Sequence, residues 1–252
     1  LSNVESISSL SKSRLRDELG KVLMQPDGFK LLMEYGIIPA IIPELRYTHK
    51  YMHSLKYHPE GSLYNHYIEA FKTFNDNLNK TELGAWALLF HDIAKPTTAK
   101  WNGSYHTFIG HDKVGKDIIL NNYNYQEGPI QFTKKELKAI AWVTDNHLAP
   151  FWNMTNKNKV AKLANDDNFD LLVEVAKADS MGLNAELFQE RLEFFEEVVK
   201  DVSSRKSKVG NMPDGFALKV FEELEIPPSI ERKNIMNQIE EMISSGDASS
   251  YD

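Results

Sequence analysis

Apolar residues recur along this chain mainly at helical spacing, and no segment alternates between apolar and polar residues for long enough to predict a strand. A first helix is predicted after Ser11 or Ser13 and ends before Pro26, and a second follows with Asp27 as its N-cap and Gly36 as its stop. Further helices are predicted over residues 62–78, 81–92, 110–122, 133–148, 159–164, 168–182, 184–202, 214–224 and 228–245. The pattern predicts an all-α fold.

Composition narrows the class of protein. The chain has 252 residues, of which 42% are hydrophobic and 26% charged, as is usual for a globular protein and unlike a collagen-like or disordered chain. No apolar run reaches the roughly 18 residues of a membrane helix, so no membrane partner is expected. The first residues lack the layout of a signal peptide, and a cytoplasmic location is therefore expected.

Charge and cysteine content limit the chemistry. The net charge of -7 provides no bulk attraction for nucleic acid, so a phosphorylated substrate has to be drawn in locally, for which a bound metal is the obvious candidate. Because the chain has no cysteine, disulfides, thiolate metal sites and cysteine nucleophiles are excluded.

Polar residues fall on apolar faces of three predicted helices. His66 lies three residues after Leu63 and four before Ala70, so it shares the inward face of its helix. The segment LGAWALLFHDIAKP is almost wholly apolar until His91 and Asp92, which places this pair at the end of a buried helix.

The same argument applies to Asp179 and His147. Asp179 follows Leu172 and Val175 by seven and four residues, and a buried carboxylate needs a metal or an imidazole partner. The alternative for Asp179 is a helix-terminal carboxylate that caps the next turn. His147 follows the inward-facing Thr144 by three residues.

Imidazoles and carboxylates in such positions, without cysteine, match a hard or borderline divalent metal. We expect His66, His91, Asp92 and Asp179 to form one ligand set. His111 and His147 complete a second set, with Asp92 bridging because a carboxylate has two oxygens. The predicted cofactor is therefore one or two divalent ions, and the donor types do not choose among Mn, Fe, Co, Ni, Zn and Mg.

For the other polar residues the sequence allows both a functional and a structural interpretation. Lys95 follows the His-Asp pair closely, where it either stabilises charge on a phosphoryl oxygen or compensates a helix dipole. Asp145 is either a partner of an imidazole or a solvated carboxylate. Loop histidines are interpreted as substrate-side residues or as loop surface: His49, His53, His58 and, with less support, His106. Basic residues are interpreted as RNA contacts or as solvated helix faces: Arg14, Arg16, Lys134, Lys135, Lys138, Lys157, Lys159 and Lys162.

The sequence HDIAKP, followed by GHDKVG, DNHL and AKADSMG, resembles the HD superfamily of metal-dependent phosphohydrolases. It is similar to the HD region that follows the nucleotidyltransferase head in bacterial tRNA nucleotidyltransferases (CCA-adding enzymes) and poly(A) polymerases. The upstream segment SKSRLRDELGKVLMQPDGFKLLMEYGIIPAIIPEL resembles the helical body of those enzymes. Together the resemblance covers roughly residues 11–182.

The resemblance implies a helical fold with an N-terminal body segment (1–50) and an HD metal-binding domain (51–202). The polar composition after residue 202, with Gly and Pro, predicts a third part made of a linker and C-terminal helices (203–252). It implies hydrolysis of a phosphoester of a nucleotide or an RNA terminus, such as a 2′,3′-cyclic phosphate, a 2′-nucleotide or a phosphomonoester. The metal ligands implied by the resemblance are His66, His91, Asp92 and Asp179, and it also implies His111 and His147 as second-site ligands or phosphate contacts. With Lys95 added from its position after the His-Asp pair, the candidate catalytic residues are Asp92, Lys95, His111 and His147.

Nucleotide addition is not implied, because the Gly-rich turn and paired strand carboxylates of the head domain do not occur in these residues. Two alternatives stay open: a non-catalytic module that binds tRNA or other RNA, and a fragment of a longer tRNA nucleotidyltransferase. The inward carboxylates favour the enzyme, since an RNA-binding surface has no need of them. The oligomeric state is not predicted.

Overall fold

The computed structural model describes residues 11–124, 128–149, 163–164, 166–181, 193, 197, 200 and 215–245. The chain divides into two compact units, Leu1–Phe151 with Asp170–Leu192, and Trp152–Phe169 with Glu193–Asp252, of which the structure describes only the residues just given. None of the described helices is both long and apolar enough to cross a lipid bilayer.

Three helices begin the first unit: α1 (Lys12–Leu23), α2 (Gly28–Glu34) and α3 (Ile37–Ile41). The Ser11 hydroxyl accepts a hydrogen bond from the Arg14 N–H and so caps α1. Asp27 is the N-cap residue of α2, although its side chain makes no capping hydrogen bond. Single 3₁₀ turns follow at Pro43–Leu45 and Thr48–Lys50.

The core of this unit is built on α4 (Leu63–Asp76) and α5 (Glu82–Phe90). The apolar stripe of α4 is buried, and Phe29 of α2 stacks on Phe71 with 5.1 Å between ring centroids. Every residue of α5 from Gly84 to Phe90 is buried, as its apolar sequence predicts. The helix therefore delivers the residues that follow it, His91 and Asp92, into the interior.

After α5 the chain forms α6 (Lys95–Thr98) and an antiparallel hairpin of β1 (Lys100–Trp101) and β2 (His106–Thr107), followed by α7 (His111–Asn122) and α8 (Lys134–Asn146). Gly110 precedes α7 with a φ of 78°, a left-handed conformation that glycine adopts without strain. A Cβ on Gly115 would approach the Thr144 methyl to 2.8 Å, so glycine here allows α7 and α8 to pack closely.

The helix α9 (Phe169–Met181) packs against the start of α5. The Glu174 carboxylate accepts hydrogen bonds from the Thr81 N–H at 2.6 Å and from its hydroxyl at 2.9 Å. Leu172, Val175 and Ala176 are buried. These contacts fix α9 with Asp179, one turn further along, on the inward side.

In the second unit the structure describes α10 (Phe216–Glu223) and α11 (Ile230–Ser245). The Arg232 guanidinium lies 4.7 Å from the centroid of the Phe221 ring, and its Nε donates to the Ile226 carbonyl at 3.0 Å. This one side chain therefore holds the turn between the two helices.

The prediction of an all-α fold is confirmed, with the two short strands as the only described sheet. Every predicted helix that falls on described residues agrees with the structure to within a few residues at each end, whereas the short helix α6 was not predicted. The helices predicted over 159–164 and 184–202 lie mostly outside the described residues, as do the predicted linker and the last seven residues.

Candidate metal centre

Side chains from α4, α7 and α9, and from the residues directly after α5 and α8, converge in the first unit. His66, His91, Asp92, His147 and Asp179 are all at most 6% exposed. The six predicted ligands, counting His111, therefore meet in one buried cluster.

The first set of donors surrounds the Nε2 atoms of His66 and His91, which lie 3.4 Å apart. Asp179 Oδ1 lies 2.9 Å from His66 Nε2 and 3.6 Å from His91 Nε2. Asp92 Oδ2 lies 3.5 Å and 3.2 Å from the same two nitrogens. Two imidazoles and two carboxylates thus converge on one point.

The second set uses the other oxygen of Asp92. Asp92 Oδ1 lies 3.2 Å from His111 Nε2 and 3.6 Å from His147 Nε2, and these two nitrogens are 3.2 Å apart. Asp92 therefore stands between two pairs of imidazoles, with one oxygen facing each pair.

Hydrogen bonds at the Nδ1 atoms fix how these imidazoles are oriented. His91, His111 and His147 each contact, at 2.6 Å, the backbone carbonyl three residues earlier in the chain. A carbonyl only accepts, so Nδ1 carries the proton and Nε2 is left to face the carboxylates. His66 Nδ1 lies instead 3.0 Å from Glu60 Oε1.

The carboxylate of Asp92 is buried without a hydrogen bond of good geometry at either oxygen. A buried carboxylate of this kind is costly unless a cation compensates it. The Lys95 ammonium lies 2.6 Å from Asp92 Oδ2 and is mostly buried, so its side chain points into the cluster.

The pKa shifts show how the cluster balances its charge. Burial alone lowers the pKa of His91, but the charge of Asp92 and the hydrogen bond with Asp179 outweigh burial and raise that pKa to about 10. Burial raises the pKa of Asp92, but the charges of His91 and Lys95 hold it well below its usual range. Burial likewise raises the pKa of Asp179, but its hydrogen bonds with His66 and His91 hold it well below its usual range. Burial also lowers the pKa of His147.

The donor chemistry fits divalent metal ions. His66, His91 and Asp92 form one group of donor atoms lying within 4.8 Å of one another, and Asp92, His111 and His147 form another. Imidazole nitrogen and carboxylate oxygen suit ions from Mn to Zn. A divalent cation in each group would compensate the buried charge of the carboxylates.

A second cluster lies beside His66 and contains His53 and His58, for which the sequence allowed an interpretation as loop surface. His53 is 3% exposed and His58 lies on it, with 4.2 Å between ring centroids, so the loop-surface interpretation of His53 is wrong. Glu60, which the sequence did not single out, contacts both His58 and His66. This segment has no helical periodicity, and its only sequence signal is the density of histidines close to His66.

The remaining candidates lie apart from this cluster. Asp145 forms ion pairs with Lys113 and Lys116, so it does not contact an imidazole. His49 is exposed, and His106 accepts a hydrogen bond from the Met52 N–H. Arg16 is held by Asp17, Glu82 and Glu136 rather than facing solvent. Lys157, Lys159 and Lys162 lie outside the described residues.

Residues 2–48 match a protein family described as "Probable RNA and SrmB- binding site of polymerase A". This match supports a body like that of poly(A) polymerases and tRNA nucleotidyltransferases at the start of the chain, and in that part the predicted resemblance is confirmed. The likeness of the following residues to the HD superfamily stays a prediction. No curated protein matches the chain.

Proposed function

We propose that this chain is a metal-dependent phosphohydrolase of the HD type, which hydrolyses a phosphoester of a nucleotide or an RNA terminus. The observation that carries the proposal is the position of Asp92, whose two oxygens each face a separate pair of imidazoles. In a purely structural polar core, one hydrogen-bond partner for each carboxylate oxygen is enough. Here four imidazole Nε2 atoms converge on one carboxylate, which is the arrangement expected of ligands to two adjacent cations.

In this proposal His66, His91, Asp92 and Asp179 hold one ion, and Asp92, His111 and His147 hold the other. A divalent metal there acts as a Lewis acid and lowers the pKa of water towards neutrality. The chain's own contribution is rigid placement, because the Nδ1 contacts fix the imidazole rings and the apolar α5 keeps bulk water from the buried carboxylate.

Lys95 supplies a positive charge at the edge of the cluster. Its ammonium contacts Asp92 and lies 5.5 Å from the centroid of the Phe108 ring. A fixed cation in a largely dry site stabilises negative charge that develops on a phosphoryl oxygen. We therefore expect Lys95 to affect the rate of turnover rather than the affinity for metal.

The substrate class follows from the resemblance and from the match at residues 2–48. The resemblance implies 2′,3′-cyclic phosphates, 2′-nucleotides and phosphomonoesters. A body related to an RNA-binding region favours the end of an RNA chain over a free nucleotide.

An activity screen tests the proposal. The purified protein is assayed on 2′,3′-cyclic, 2′-, 3′- and 5′-nucleotides and on RNA with a cyclic phosphate end, each with Mn²⁺, Fe²⁺, Co²⁺, Ni²⁺, Zn²⁺ or Mg²⁺. We expect hydrolysis by the wild type and by His49→Ala, an exposed histidine outside the cluster, and none by Asp92→Asn at any metal concentration. Absence of hydrolysis across all these combinations would refute the proposal.

A second candidate function is binding of tRNA or other RNA without chemistry, which the match at residues 2–48 favours. Gel-shift assays with a tRNA acceptor hairpin test it. Arg14 is exposed on α1, so Arg14→Glu is expected to weaken binding, while the matched exposed control Lys72→Glu on α4 is not. RNA binding by a protein that hydrolyses none of the screened esters would favour this candidate over the enzyme.

A further inference from the structure

The segment between Tyr51 and Leu63 is a closed loop beside the first set of donors. The His53 N–H donates to the Gly61 carbonyl at 2.7 Å, and the Leu63 N–H donates to the Tyr51 carbonyl at 2.8 Å. These backbone bonds hold the two ends of the loop together. The side chains between them are therefore presented in a fixed arrangement next to His66.

His53 is buried in this loop without a hydrogen-bond partner at either ring nitrogen. Its ring packs against Phe108 at 5.2 Å and against His66 at 5.5 Å between centroids. A buried polar group that lacks its hydrogen bond costs about 1–3 kcal/mol, so a partner for this imidazole is expected. Neither the proposed metal centre nor the packing of the loop uses these two nitrogens.

Glu60 supplies negative charge at the same place. Its Oε1 accepts hydrogen bonds from His58 Nδ1 at 2.8 Å and from His66 Nδ1 at 3.0 Å, while its Oε2 is buried and has no partner.

The ring nitrogens of the two loop imidazoles complete the donor set. Both nitrogens of His53 are buried without a hydrogen-bond partner, and Nδ1 of His58 lies 2.8 Å from Glu60 Oε1. An anion would face the charge of Glu60, and an apolar group would leave the ring nitrogens of His53 unpaired. A divalent cation satisfies both, since zinc and related ions bind neutral imidazole and carboxylate together.

We propose that His53, His58 and Glu60 form a third divalent-cation site, adjacent to the two sets of donors that share Asp92. Together with His66, the three residues offer ligand atoms that all lie within 4.8 Å of one another. Glu60 binds the cation through its unpartnered Oε2 and keeps the contact between its Oε1 and His66 Nδ1. The third site is thereby connected to the first set through the imidazole of His66.

Metal stoichiometry tests this site with zinc as the probe. Metal-free protein is dialysed to equilibrium against Zn²⁺, and bound zinc is measured by elemental analysis. Wild type and His49→Ala are expected to bind one equivalent more than His53→Ala. His58→Ala, whose side chain is already 21% exposed, is expected to lose the same equivalent and guards against a folding defect in the His53 variant.

Asp92→Asn separates this proposal from the proposed function. It is expected to lose the zinc that depends on Asp92 while keeping the equivalent that depends on His53. Equal zinc content in wild type and in folded His53→Ala and His58→Ala would overturn the third site, whatever Asp92→Asn shows. In that outcome a water molecule is the partner of His53.

Discussion

The sharing of Asp92 predicts unequal losses of metal-dependent stability in two variants. Asp92 contacts both pairs of imidazoles, whereas Asp179 contacts only His66 and His91. Asp92→Asn is therefore expected to remove metal binding at both sets of donors and Asp179→Asn at one. Both substitutions preserve side-chain volume, so the packing of α5 and α9 is retained.

The size of the effect follows from mass action. A metal present at a hundredfold excess over its dissociation constant stabilises the fold by about 2.7 kcal/mol for each site, or about 5.4 kcal/mol for two independent sites. One kcal/mol corresponds to about 2–4 °C in Tm for a domain of roughly this size. The metal-dependent rise in Tm of the wild type should therefore exceed that of Asp92→Asn by about 11–22 °C, and that of Asp179→Asn by about half as much.

The assay is calorimetry of each protein with excess Zn²⁺ and with chelator, using His49→Ala as the matched control. For each protein, the Tm with Zn²⁺ minus the Tm with chelator gives the stabilisation due to metal, separate from any direct effect of the substitution on the fold. A rise in Asp92→Asn equal to that of the wild type would show that Asp92 is not a shared ligand. A wild type whose Tm does not respond to metal would refute the metal centre itself.

Four further outcomes are expected. Lys95→Ala should retain its metal but turn over roughly tenfold to a thousandfold more slowly, the range for lost charge stabilisation, and normal turnover would contradict that role. His111→Ala should strongly lower activity but reduce the metal-dependent rise in Tm only about as much as Asp179→Asn does, because each residue belongs to one set of donors; parallel kinetics and calorimetry measure both. Because the pKa of His91 is raised to about 10, zinc binding at pH 7 should release protons. The zinc affinity should therefore rise by roughly tenfold per pH unit for each proton displaced, up to about pH 10. Calorimetry in buffers of different ionisation enthalpy measures the number of protons released. The 252-residue chain should add no nucleotides, and incorporation of labelled CTP or ATP into tRNA would contradict this.

The inward orientation of the clustered histidines and aspartates was predictable from the sequence where these residues lie on regular helices or directly at their ends. The stripe of α4 placed His66 inward, and the apolar α5 placed His91 and Asp92 at the end of a buried helix. Asp179 followed from the apolar face of α9. In each case periodicity alone indicates which side of the helix is buried, because the period is fixed by the backbone.

Irregular segments were not predictable in the same way. The burial of His53 depends on backbone bonds that close its loop, and Glu60 reaches His66 from outside the helix. The hairpin has only two residues in each strand, too few for an alternating pattern to show. Such features arise from contacts between distant parts of the chain, which a local pattern does not encode.

The carbonyl contacts of the imidazoles have a consequence for how this centre changes by mutation. His91, His111 and His147 are aligned by main-chain oxygens, which persist whatever side chains replace Leu88, Phe108 or Thr144. His66 is aligned by the side chain of Glu60. Substitution of neighbouring side chains therefore leaves the orientation of three of the proposed ligands unchanged. The donor strength of the fourth, His66, instead changes with a single substitution at Glu60.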